Sequence, residues 1–101
     1  MQHGWYKLNE DKTTELLPPG TYPNFEEDRH IGDDTINGAR ISTVFLGLDH
    51  NWGDGPPVLF ETMVFGGEHD EWMDRYHTYD EALAGHKKVV DCITNNKPLE
   101  P

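Results

Sequence analysis

The dipeptide Asn37-Gly38 lies between two extended-prone runs, residues 29–36 and 39–50. Both residues tolerate positive φ, which a two-residue type I′ turn requires, and the twist of that turn matches the twist of paired strands. An antiparallel hairpin is therefore expected at the centre of the chain. Its second arm carries Ile41-Ser42-Thr43-Val44-Phe45-Leu46-Gly47-Leu48, with apolar residues on both faces, as a central strand needs. The loop Asn51-Trp52-Gly53-Asp54-Gly55-Pro56-Pro57 then turns the chain, and residues 58–65 return as a third long strand closed by Gly66-Gly67.

Weaker signals flank this centre. Residues 4–8 and 13–17 surround the turn-like Asn9-Glu10-Asp11-Lys12, which predicts a short first hairpin. Pro18-Pro19-Gly20 ends it, because proline has no ladder donor. Residues 21–28 read as a loop with one helical turn at Phe25-Glu26-Glu27. The acidic stretch 70–75 reads as irregular or as a helical turn, and Arg75-Tyr76-His77 as a brief strand.

The last element is the most sharply marked. Thr78-Tyr79-Asp80-Glu81 fits a capping box, in which the threonine hydroxyl and the glutamate carboxylate each satisfy the other's free backbone N–H. Asp80 and Glu81 suit the positive end of a helix, and Lys87 and Lys88 lie nearer the negative end. Tyr79, Ala82, Leu83, His86, Val89, Val90 and Ile93 recur at three- and four-residue steps, one apolar stripe. Gly85 costs about 1 kcal/mol relative to alanine there, so a close approach to the sheet is the expected reason for it. Asn95-Asn96-Lys97-Pro98 stops the helix. The expected architecture is α+β: an antiparallel sheet of four to six strands with one C-terminal helix on one face, forming a single domain over residues 1–94, with 95–101 as a flexible tail.

Charge narrows the function. Nineteen Asp and Glu against eight Lys and Arg give a formal net charge of -11. Nucleic-acid backbones and anionic membranes are bound through Lys and Arg, so neither is an expected partner. No apolar run reaches the roughly 20 residues of a membrane span. The first residues show no basic segment followed by an apolar one, and the lone Cys92 offers no disulfide framework, so a cytoplasmic setting is expected. Eight acidic residues fall between Glu10 and Asp34, and six more between Glu68 and Glu81. They either keep the chain soluble or form a surface for a basic protein partner. The candidates for that surface are Glu26, Glu27, Asp28, Asp33, Asp34, Asp54, Glu68, Asp70, Glu71 and Asp74. Trp52 and Trp72, in predicted loops, are either plugs beneath the loops or anchors at the interface.

Six histidines raise a second possibility. Asp49, His50, Glu61 and His86 are residue types that bind divalent metals, but no H-x-x-x-H, H-E-x-x-H or C-x-x-C spacing occurs. Asp49 and His50 alternatively end a strand and satisfy loop backbone groups. His86, on the apolar stripe, is either a poised base or ligand, or a core histidine bonded to the sheet or to a strand carboxylate such as Glu61. Glu61 interrupts an apolar strand, so it is exposed on the open face or buried and paired. Nucleophilic catalysis has no motif: Ser42 and Thr43 lie mid-strand, and the glycine pairs do not open a helix after a strand. No catalytic residue and no cofactor are assigned, a divalent metal being the alternative.

The segment Ser42-Thr43-Val44-Phe45-Leu46-Gly47-Leu48-Asp49-His50, followed by Gly55-Pro56-Pro57 and by Leu59-Phe60-Glu61-Thr62-Met63-Val64-Phe65, resembles a family of small proteins encoded by tailed bacteriophages and prophages. Arg75-Tyr76, Thr78, Glu81-Ala82 and Gly85-His86 match the same family's ending, a strand leading into a capped helix. The resemblance spans roughly residues 29–93. The amino-terminal third departs from it at Pro18-Pro19-Gly20. The resemblance implies an origin and a host bacterial cytoplasm, not an activity. With the charge and the size, it makes an accessory protein that inhibits a host defence system, such as an anti-CRISPR, the leading expectation. A nucleotide-binding sponge or a metal-dependent nucleotide hydrolase, using Trp52, Asp49, His50, Glu61 and His86, is the alternative. A virion or assembly component is the third, and open strand edges in a small sheet could pair in a homodimer.

Overall fold

The computed structural model describes residues 4–24, 26–51 and 53–100. Among these residues six strands and one helix follow one another: β1 (Tyr6–Leu8), β2 (Thr14–Leu16), β3 (His30–Ile36), β4 (Ala39–Phe45), β5 (Phe60–Phe65), β6 (Met73–Tyr76) and α1 (Tyr79–Thr94). They form a four-stranded antiparallel sheet in the order β3-β4-β5-β6, a separate β1-β2 hairpin, and a helix packed on the larger sheet. The fold is α+β.

The central hairpin forms as its turn dictates. Asn37 and Gly38 have φ of 51° and 80°, and Ile36 pairs with Ala39 across them. The sequence ran β4 on to Leu48, but the strand ends at Phe45. Gly47 adopts φ 84°, which breaks the extension, and its carbonyl accepts from Tyr6 N–H at 2.7 Å. Beyond it Leu48 bridges to Trp5, so this corner joins the first hairpin to the sheet. The regular part of β5 begins at Phe60 rather than residue 58, although His50 N–H still reaches the Val58 carbonyl at 2.9 Å. The brief strand expected at Arg75-Tyr76-His77 forms as β6, but it begins at Met73, inside the stretch expected to be irregular or helical. Arg75 pairs with Glu61 and Asp74 with Thr62, and the strand stops at Tyr76.

Register fixes what each face carries. Ala39, Ile41, Thr43 and Phe45 of β4 and Phe60, Thr62 and Val64 of β5 are buried beneath α1. The opposite face carries Arg40, Glu61, Met63, Phe65 and Arg75. The core has two parts. Ala39, Ile41, Val64, Val89 and Ile93 pack under the end of the helix, and Phe45, Leu59, Phe60 and Ala82 under its start, with Tyr6 and Leu8 of the first hairpin against the second group. Phe45 and Phe60 stack tilted at 5.3 Å between ring centroids.

The capping box of α1 is present in both directions: Glu81 N–H donates to the Thr78 hydroxyl, and Thr78 N–H to the Glu81 carboxylate, each at 3.1 Å. Cys92 joins Ala82, His86, Val89 and Ile93 on the buried stripe, while Tyr79, Leu83 and Val90 are only partly covered. The segment after α1, read from the sequence as a tail, lies back on the sheet. Lys97 N–H donates to the Cys92 carbonyl at 2.7 Å, and Leu99 packs against the Val64 cluster.

Candidate functional site

His86 is 4% exposed in the middle of the apolar stripe, and a buried imidazole must be hydrogen-bonded on both sides of its ring. Its Nε2 lies 2.7 Å from Asp34 Oδ2 and its Nδ1 2.7 Å from Thr43 Oγ1. Thr43 Oγ1 is 2.5 Å from Thr62 Oγ1, and Thr62 in turn hydrogen-bonds the Tyr76 phenol. Each strand of the sheet thus supplies one member: Asp34 from β3, Thr43 from β4, Thr62 from β5 and Tyr76 from β6. His86 was expected, in one reading, to bond the sheet or a strand carboxylate such as Glu61. The structure gives Asp34 instead, because Glu61 projects from the other face and meets Arg75 Nε at 3.0 Å.

The proton order along this chain is self-consistent. A neutral imidazole donates Nε2–H to Asp34 and accepts at Nδ1 from the Thr43 hydroxyl. Thr43 can then accept from Thr62. Burial pushes the Tyr76 phenol above the ordinary tyrosine range, against the opposing effect of the Thr62 hydrogen bond. Among the described residues no buried side-chain nitrogen or oxygen lacks a partner.

Two glycines make room for the chain at its ends. A Cβ on Gly32 would come within 2.6 Å of the His86 ring, and one on Gly85 within 2.3 Å of Tyr76 Oη. The register of β3 shifts between His30 and Gly32, beside the imidazole.

Asp34, His86 and Thr43 have the carboxylate–imidazole–hydroxyl order of a hydrolase triad, but Thr43 is 0% exposed and its oxygen already engages Thr62. A substrate carbonyl has no route to it. What the arrangement does is fasten one helix to four strands.

The four residues considered for a metal or nucleotide pocket are not brought together. His86 lies under the helix and Glu61 on the opposite sheet face. Asp49 is buried past the end of β4, where its Oδ1 accepts from Asn51 N–H at 2.8 Å and Val58 N–H at 2.9 Å. His50 Nδ1 donates to the Leu48 carbonyl at 3.0 Å. Both therefore serve loop backbone groups. No group of three or more His, Cys, Asp or Glu is placed to hold a metal ion among the described residues.

The acidic candidates fall into separate regions. Glu26, Glu27 and Asp28 precede β3, and Asp33 and Asp34 lie within it; all five are exposed. Asp28 accepts from His30 N–H, and its side chain meets the His30 ring; these bonds hold its carboxyl below the ordinary range. Asp33 is likewise lowered, chiefly by a two-pronged bond from Arg40 at 3.0 and 2.9 Å. Glu68, Asp70 and Glu71 occupy the β5–β6 turn, where Asp70 Oδ1 accepts from Gly66 N–H at 2.7 Å, and Asp74 lies in β6 at the other sheet edge. Asp54 is exposed in the loop after β4. Trp72 is partly buried against the Val64 cluster and donates its indole N–H to the Glu100 carbonyl at 3.3 Å. Trp52 lies outside the described residues.

Sequence reasoning missed Thr43, Thr62, Tyr76 and Gly32 as members of the site. The signal was there: Thr43 shares the inward phase of Ile41 and Phe45, and Thr62 that of Phe60 and Val64. A hydroxyl at such a position needs a partner.

Among the described residues no helix is long and apolar enough to cross a membrane. Comparison with protein-family models, with curated proteins and with solved structures gave no match.

Proposed function

We propose that the protein is a small phage-encoded accessory binding protein that acts in the bacterial host cytoplasm, inhibiting a host defence system by placing acidic side chains on a basic site of a partner protein. An anti-CRISPR role is one instance. The observation that carries this reading is the acidic edge of the sheet. Glu26, Glu27, Asp28, Asp33 and Asp34 lie exposed along β3 and its approach, on a chain of net charge -11. Such a field speeds encounter with a basic surface and rejects acidic ones. The fastening of Asp34 to His86 holds β3 against the helix, so Asp33 and Asp34 stand on a rigid element. The resemblance of residues 29–93 to small phage proteins supports the biological setting.

The test is phage plaquing on bacterial strains carrying single defence systems, a CRISPR effector among them, with and without the expressed protein. Restored plaquing on at least one strain is expected, and its loss in the Glu26→Lys, Glu27→Lys variant. These positions are exposed loop residues, so the variant should keep the parent's urea midpoint. Unchanged plaquing on every strain, or restoration indifferent to the charge reversal, overturns the proposal.

A further inference from the structure

β3 is a seven-residue strand at the edge of the sheet, against four residues for the opposite edge strand, β6. Its inner side is spent on β4. Across a two-residue turn the closing pair, Ile36 and Ala39, is hydrogen-bonded, so the alternation of an antiparallel ladder turns Asp34 inward and leaves the backbone groups of Asp33 and Thr35 facing outward. Beside this edge, between β3 and α1, runs a groove of about 460 Å³ lined by Ile31, Asp34, Leu83, His86, Lys87 and Val90. Among the described residues this edge is unpaired, and an unpaired strand edge next to an apolar groove is the geometry by which a sheet accepts an extended segment: main-chain bonds supply affinity, and alternate side chains supply specificity.

We infer that β3 receives an extended, basic segment of the partner protein as a fifth strand, with aliphatic side chains entering the groove and lysine or arginine side chains on the opposite face, the face of Asp33. This rests on the acidic-surface reading and names the element of the partner that makes the contact. Charge selects the occupant. A second copy of this chain carries the same net charge of -11 and the same acidic β3, so its approach edge to edge is repelled. A basic strand meets Asp33 and the acidic approach to β3 with the opposite sign. Aliphatic residues suit the groove wall of Ile31, Leu83 and Val90, and alternation follows from the two-residue period of a strand.

The probe is an eight-residue peptide alternating valine with lysine, titrated into the full chain and followed by NMR and calorimetry at low and high salt. A matched peptide carries N-methyl groups on alternate residues, which keeps its charge but removes ladder donors. Binding by the plain peptide is expected to shift the amides of Asp33 and Thr35, to weaken as salt rises, and to exceed that of the methylated peptide at least tenfold. Thr35→Pro, which removes an outward donor, should abolish this advantage while keeping the fold; should that variant unfold, the methylated peptide decides alone. Equal, salt-sensitive binding of both peptides overturns strand addition but leaves the acidic-surface reading standing. No binding of either at low salt overturns both. A concentration-dependent dimer blocked by Thr35→Pro overturns the choice of occupant.

Discussion

Gly85→Ala should destabilise this protein, although the same change in the middle of an ordinary exposed helix is stabilising. Alanine is favoured over glycine in a helix by about 1 kcal/mol. Here the new methyl carbon would lie 2.3 Å from Tyr76 Oη and 2.5 Å from Cε1 and Cζ of the same ring. Tyr76 cannot simply swing away, because it sits in β6 against the Phe60 cluster and its phenol bonds Thr62. Overpacking of this kind costs about 1–3 kcal/mol, so the net result is a loss of up to about 2 kcal/mol. Urea unfolding reads it as a lower midpoint at unchanged slope, and thermal unfolding as a Tm lowered by about 4–8 °C per kcal/mol in a domain of this size. Ala84→Gly, at the exposed neighbouring position, supplies the scale: it should lose about 1 kcal/mol from helix propensity alone. In a Tyr76→Ala background the clash is gone, and Gly85→Ala should turn stabilising by about 1 kcal/mol. A raised midpoint for Gly85→Ala in the parent chain would refute the argument that the tyrosine ring dictates this glycine.

Two further outcomes follow from the buried chain. Burial raises the Tyr76 phenol, so the unfolded chain ionises first: the associated stability is fully present below about pH 10 and is lost as pH rises from there through the folded value. Urea midpoints should therefore fall over that alkaline range, and Tyr76→Phe should flatten the fall and remove the last-titrating tyrosine from the absorbance titration. Thr43→Val, nearly isosteric, leaves His86 Nδ1 and Thr62 each short of a partner and should cost about 1–3 kcal/mol. Combined with His86→Leu it should cost less than the sum of the single changes by at least about 0.5 kcal/mol in a urea double-mutant cycle, and strict additivity would show that the two side chains do not share one network.

How much of this was legible depended on whether a signal was local. Asn37-Gly38 fixes its own turn, and Thr78 with Glu81 its own helix start; both are written within four residues, and both formed as expected. The end of β4 was misread because Gly47 is ambiguous in a run of apolar residues: only its positive φ, imposed where the first hairpin docks on its carbonyl, shows that the strand has stopped. β6 was read only at Arg75-Tyr76, and its start at Met73 was missed for a related reason. Met73-Asp74-Arg75-Tyr76 is a short edge strand with a single residue, Tyr76, more than marginally covered, so period-two alternation has almost nothing to register. The chain at the centre of the site is the extreme case. Asp34 and His86 stand 52 residues apart, and nothing near either names the other. What the sequence did carry was a constraint without an address: a histidine on an apolar stripe and threonines in the inward phase of two central strands each demand a buried partner. The register of the sheet brings those three demands together, and once β3 is placed beside β4, Asp34 is the carboxylate on the helix side at the right height. Gly32, opposite the imidazole, and Gly85, opposite the phenol, then have the same explanation at the two ends of one structure. A residue that looks like a cost in its own element, a glycine in a helix or a hydroxyl in a core strand, is informative because its compensation must lie in another element.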